Sequence, residues 1–194
     1  TVLELCRHQP DFEHMVYGSS SSVYGGNTKL PYSVADRTDA PVSLYAATKR
    51  ANEHMSYSYA HLYRLPQTGL RFFTVYGPWG RPDMAIYLFT DAIAKGRPIE
   101  VFNNGNMKRD FTYIDDIVSG VIAAHDNPPS KDPALPHRIY NIGSQHSEPL
   151  LRLINVIEGA LGKKANTIMR PMQMGDVLET FADIDAIKQD LGYR

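Results

Sequence analysis

Hydrophobic positions along this chain change period repeatedly, from short apolar runs to the three-and-four spacing of amphipathic helices. Val2, Leu3, Leu5 and Cys6 read as the tail of such a helix. Residues 12–17 read as a short buried strand, and the hydroxyl run Ser19-Ser20-Ser21-Ser22 follows it at once. A helix is predicted over 44–64, ended by Leu65-Pro66, and a strand over 69–75. Residues 77–82 (G-P-W-G-R-P) form a loop whose Pro82 can open the next helix. In that helix Ile86, Phe89 and Ile93 recur at helical spacing, and Gly96 can close it. Strands are predicted over 99–102 and 109–113, separated by the turn residues Asn103-Asn104-Gly105-Asn106. Helix 114–126 sets Ile117, Val118, Val121 and Ile122 on an apolar face, and the proline-rich residues 127–136 form a surface loop. Strand 138–142, helix 150–161 stopped by Gly162, a weak strand over 166–169 and helix 184–191 follow.

Strands and helices alternate throughout, which defines an α/β protein. Up to Val75 the order strand–helix–strand is that of the second half of a doubly wound parallel sheet. From Gly77 onward the elements are shorter and richer in loops, as in a smaller C-terminal substrate-binding lobe. The expected division is therefore 1–76 and 77–194, with some elements of the second part returning to the sheet. A chain that opens at Thr1 inside a predicted helix is read as a fragment. Ligands of such sheets sit at the carboxyl ends of the strands, where Ser20, Ser21, Ser22 and Thr74 fall.

Composition narrows the classes. A formal net charge of −1 argues against a nucleic-acid footprint. No apolar run reaches the length of a membrane span, and no signal-peptide pattern opens the chain. With 1 cysteine, Cys6, an intrachain disulfide is impossible, which suits a reducing, cytoplasmic setting. The 7 histidines are scattered without ligand spacing, so no metal site is expected.

The candidate chemistry lies in Tyr45-Ala46-Ala47-Thr48-Lys49. Spacing of i and i+4 on a helix puts both side chains on one face. An ammonium beside a phenol favours phenolate, and such a tyrosine can exchange a proton with a hydroxyl. The same spacing also describes an ordinary surface pair, so the motif needs its context.

That context is a serine run ending a strand, the Tyr-x-x-x-Lys helix about two dozen residues later, and a following strand ending in Phe-Phe-Thr-Val. The words S-S-S-S-V-Y-G, S-L-Y-A-A-T-K, F-F-T-V-Y-G-P-W-G-R-P-D and R-D-F-T-Y-I-D-D together resemble the extended short-chain dehydrogenase/reductase family, a Rossmann-type fold, and within it the nucleotide-sugar epimerases. G-P-W-G-R-P-D-M and V-F-N-N-G are most similar to those of UDP-glucuronate 4-epimerases. The resemblance implies NAD as cofactor, a UDP-sugar as substrate and a homodimer for the full-length protein. It makes Tyr45 the acid/base at the sugar 4-hydroxyl, Lys49 its modulator and ribose ligand, and Ser20 a hydrogen-bond partner of the same hydroxyl. Phe72 and Val75 would line the nicotinamide. Arg81 would fork onto the uronate carboxylate, with Ser21, Ser22 and Thr74 around it. Arg109 would clamp the diphosphate, Phe102 meet the uracil and Asp176 contact the uridine or ribose.

Each of these has a plainer reading: Arg81 as a loop arginine tied to Asp83, Arg109 as a strand-edge charge, Phe102 as core, Asp176 as a turn aspartate. Related dehydratases and decarboxylases carry an acidic residue where this chain has Ser22, which favours epimerisation. No G-x-G-x-x-G occurs, so most of the NAD site is expected elsewhere and these residues alone are expected to show no turnover. A UDP-glucose/UDP-galactose 4-epimerase and a non-catalytic nucleotide sensor remain the alternatives.

Overall fold

The structure, a computed structural model, describes residues 1–130 and 135–194; the middle of the expected surface loop 127–136 lies outside the described residues. A short helix α1 (Val2–His8) leads to β1 (Met15–Ser20). The strand starts and ends three residues later than expected, because Ser19 is not loop: its side chain points inward and donates to Glu53. Helix α2 (Leu44–Tyr63) follows, then β2 (Gln67–Phe72). β2 pairs in parallel with β1 on one side and with β7 (His137–Ile142) on the other, giving a three-stranded sheet in the order β1-β2-β7. Its burial is continuous over Gln67–Arg71, as expected of a parallel strand covered on both faces.

The predicted strand 69–75 is two strands. Phe73 N still donates to Ile142 O (3.1 Å), but Thr74 N donates to Asp110 O (3.0 Å), so the backbone changes partner between these residues. β3 (Thr74–Tyr76) then pairs in parallel with β6 (Phe111–Tyr113). The predicted strand 109–113 divides for the same reason at buried Asp110. Its first part, β5 (Lys108–Arg109), runs antiparallel to β8 (Glu148–Pro149).

The lobe carries α3 (Ala85–Ala94), β4 (Pro98–Val101), α5 (Leu150–Leu161) and β9 (Asn166–Met169), with β4 and β9 paired in parallel. Phe102 falls outside β4 and opens a turn in which Asn103 and Asn104 take φ of 49° and 51°. Helix α4 (Ile114–Asp126) has the expected bounds but a different buried face: Ile117, Gly120 and Ala124 are buried, while Val118 and Ile122 are exposed. The seam runs through small residues, and a Cβ on Gly120 would stand 3.0 Å from Ile142 and 3.1 Å from Tyr193. Helix α6 (Asp185–Leu191) closes this side.

Two apolar clusters result. One joins Val23, Leu70, Phe73, Ile142 and Ile187 around the three-stranded sheet; the other joins Phe89, Ile93, Ile99, Val101, Ile154 and Ile157 in the lobe. No helix among the described residues is long and apolar enough to cross a membrane.

Candidate active site

Ser43 caps α2, its Oγ accepting from Ala46 N at 3.1 Å. The capped helix turns Ala46, Glu53, Ser56 and Ala60 inward and leaves Tyr45 exposed at the rim. Lys49 Nζ lies 5.8 Å from the Tyr45 ring centre, so the i, i+4 pair does share a face. The same ammonium donates to Gly18 O at 3.0 Å, two residues before Ser20 at the carboxyl end of β1. Ser20 Oγ accepts from Ser22 N (3.2 Å) and heads a short turn, Ser21–Tyr24.

Beneath this pair is a buried polar network that the sequence reading missed. Glu53 Oε1 accepts from Ser19 Oγ (2.6 Å) and Arg71 Nε (2.8 Å), while Oε2 accepts from Arg71 Nη2 (2.8 Å) and Arg50 Nη1 (2.7 Å). Arg71 Nη1 donates to Tyr24 OH (3.0 Å), which donates to Asn141 Oδ1 (2.6 Å). Burial pushes the Glu53 carboxyl up, but the hydrogen bonds and charge of Arg71 outweigh it and hold it below the usual carboxylate range. The network ties α2 to β1, β2 and β7 at one level. A sequence signal existed: Glu53 lies seven residues after Ala46 and seven before Ala60, on the small-residue stripe that turns towards the sheet.

Three cavities adjoin Thr74, which lines all of them. Ser21, Ser22, Arg109 and Asp176 come together around one of about 180 Å³. Phe102, Arg109 and Asp176 line a second of about 550 Å³. Val75 and Arg81 line the third, of about 450 Å³, with Tyr76, Trp79 and Met84. Ser20, Tyr45, Lys49 and Phe72 line none of the three; Phe72 instead packs across Gly18, where a Cβ would stand 3.3 Å from its ring.

The charged residues are paired. Arg109 Nη2 donates to Asp176 Oδ1 at 2.6 Å and its Nη1 to Lys108 O at 2.8 Å. Arg81 forks onto Asp83, Nε to Oδ1 at 3.0 Å and Nη2 to Oδ2 at 2.7 Å, with both side chains largely exposed. The Asp83 bond raises the Arg81 pKa, and the Arg81 bond lowers that of Asp83. Between Arg109 and the strand that follows, fully buried Asp110 accepts from Thr112 Oγ1, Ser144 N, Ser144 Oγ and Ala182 N at 2.7–3.1 Å. It locks β6 to the loops after β7 and before α6, a role that R-D-F-T-Y alone did not reveal.

Parallel strands with a tyrosine–lysine pair at their carboxyl ends and a cavity-bearing lobe beside them define a Rossmann-type α/β protein. The chain belongs to the NAD dependent epimerase/dehydratase family, which matches residues 1–143. It is 48% identical to Protein CapI of Staphylococcus aureus over 100% of this chain and 61% of that protein. It is 47% identical to UDP-glucuronate 4-epimerase 3 of Arabidopsis thaliana over 100% of this chain and 47% of that protein. Among solved structures, the UDP-glucuronic acid 4-epimerase from Bacillus cereus in complex with UDP-glucuronic acid and NAD superposes with a TM-score of 0.85, at 33% identity, over 100% of this chain and 59% of that one. The chain thus spans about half to three fifths of the length of these relatives.

Proposed function

We propose that this chain carries the acid/base pair and the substrate side of an NAD-dependent UDP-glucuronate 4-epimerase. The observation that carries the reading is the placement of Tyr45 and Lys49 on one exposed helix face, with Lys49 bonded to Gly18 O beside Ser20. The residues present fit the nicotinamide–ribose end of NAD. Lys49 Nζ has three donors and gives one to Gly18 O, leaving others for ribose hydroxyls. Phe72 and Val75, at and just beyond the end of β2, are assigned to the nicotinamide. The chemistry NAD would supply there is reversible hydride acceptance from the sugar carbon-4, with no net oxidation. Tyr45 takes the proton of the 4-hydroxyl and gives it back, Lys49 holds the ribose beside it, and Ser20 holds the same hydroxyl.

On the substrate side Ser21, Ser22, Thr74 and Arg81 are assigned to the uronate carboxylate, Arg109 to the diphosphate, and Phe102 and Asp176 to the uridine. Residues 1–76 then belong to the NAD-binding domain and 77–194 mainly to the substrate lobe, with α4, β7 and α6 returning to the sheet. The reading includes a cytoplasmic homodimer; exposed Met55 and Leu62 on α2, the helix that bears Tyr45, support the dimer. A neutral-sugar 4-epimerase is the second reading, favoured by the two-pronged pairing of Arg81 with Asp83, which occupies the guanidinium fork. Incubating the complete protein with UDP-glucuronate and NAD and following the sugar by NMR tests it. UDP-galacturonate is the expected product; no conversion, with UDP-glucose turned over instead, selects the second reading.

A further inference from the structure

The smallest of the three cavities has features that its expected lining residues do not explain. Thr180, 7% exposed, lines it, and its Oγ1 is buried without a hydrogen-bond partner. So is Ser22 Oγ on the same cavity. Buried hydroxyls are nearly always partnered, so two unpartnered ones on a single cavity mark a place made to receive acceptor oxygens.

The surroundings specify the charge of what is received. Ser43, the cap of the 20-residue helix α2, lines the cavity, so the positive end of the helix dipole stands at its wall. Arg109 lines it as well, paired at 2.6 Å with Asp176, which also lines it, so the pair adds no net charge and the helix end supplies the positive potential. At about 180 Å³ the space suits a carboxylate with its adjoining carbon and not a nucleotide. A carboxylate offers acceptor lone pairs to several donors at once.

Thr180 is also held rigidly. Its N donates to Lys108 O (3.3 Å), Lys108 N donates to Leu178 O (2.9 Å), and Tyr32 N donates to Phe181 O (2.8 Å). The segment is pinned on both sides, so the hydroxyl is positioned before any ligand arrives.

We propose that Thr180 is a further specificity-determining residue, donating with Ser22 to the carboxylate of a UDP-uronate in this cavity, at its border with the cavity that Arg81 lines, Thr74 lining both. The proposal rests on the UDP-uronate reading. Titrate UDP-glucuronate and UDP-glucose calorimetrically into the complete protein as wild type, Thr180→Val and Thr180→Ser. Loss of a hydrogen bond to a charged group predicts that Thr180→Val weakens UDP-glucuronate on the order of tenfold or more and leaves UDP-glucose unchanged. Thr180→Ser, which keeps the hydroxyl, restores UDP-glucuronate binding. A wild type that prefers UDP-glucuronate, with Thr180→Val unaffected or weakened equally for both sugars, overturns the role of Thr180 alone. A wild type without preference for the uronate overturns the underlying reading, and the proposal with it. Should Thr180→Val fail to fold, a Thr180→Ala protein replaces it in the same comparison and is held to the same outcomes.

Discussion

Glu53 and Arg71 form a two-pronged ion pair in the interior, with both prongs at 2.8 Å and neither side chain more than 3% exposed. Removing one partner of a buried pair leaves an uncompensated charge, which costs about 3–5 kcal/mol, whereas replacing both with apolar groups is often neutral. Glu53→Gln is therefore expected to lower unfolding stability in urea by about that amount, and adding Arg71→Met to recover much of it. A single substitution that leaves the urea midpoint unchanged contradicts the assignment of this pair as the link between α2 and the sheet.

The uronate assignment depends on Arg81 leaving Asp83. Both groups are in solvent, where such pairs are weak, so exchange of one carboxylate for another is energetically accessible. Arg81→Ala is expected to reduce kcat/KM for UDP-glucuronate on the order of tenfold or more, as loss of a charge-assisted bond predicts, and to spare UDP-glucose. Equal losses for the two sugars contradict it.

Stability should fall on acidification through His137. Burial lowers its pKa from 6.5 to about 4, and its Nε2 lies 3.2 Å from Tyr17 OH. A folded-state pKa below the unfolded one means that the unfolded chain takes up the proton first. The contribution is complete above about pH 6.5 and is lost as the pH falls towards 4, by at most about 3 kcal/mol. Tm measured from pH 8 to 5 should drop in the wild type, and His137→Gln should flatten the slope. An unchanged slope in the variant assigns the titration to another group.

The alternation of elements was readable because each has a clear period and a stop. α4, α5 and β9 have the predicted bounds, and Gly162 takes the left-handed conformation expected of a stop. What the pattern could not show was a change of partner within a strand. Nothing in Phe73-Thr74 or Arg109-Asp110 breaks an extended run, yet at both places the backbone leaves one sheet for another. The Tyr45–Lys49 relationship was legible because it is local, four residues on one helix. Arg109 with Asp176, the Glu53 network and Thr180 were hidden for the opposite reason. Arg109 and Asp176 are 67 residues apart and Glu53 and Arg71 are 18 apart, while Thr180 Oγ1 has no partner, and burial, not spacing, gives them their roles. Polar residues such as Ser19, Arg71 and Asp110 also read as surface by composition, and only their mutual bonds permit them inside.

Tyr45 is assigned the proton of the sugar 4-hydroxyl, and Tyr45→Phe removes the one oxygen that could carry it. In the complete protein with NAD and UDP-glucuronate, turnover of Tyr45→Phe should fall roughly a hundredfold to ten-thousandfold, the usual span for a lost acid/base, with UDP-glucuronate affinity retained. Turnover within a few-fold of wild type at unchanged affinity would contradict it.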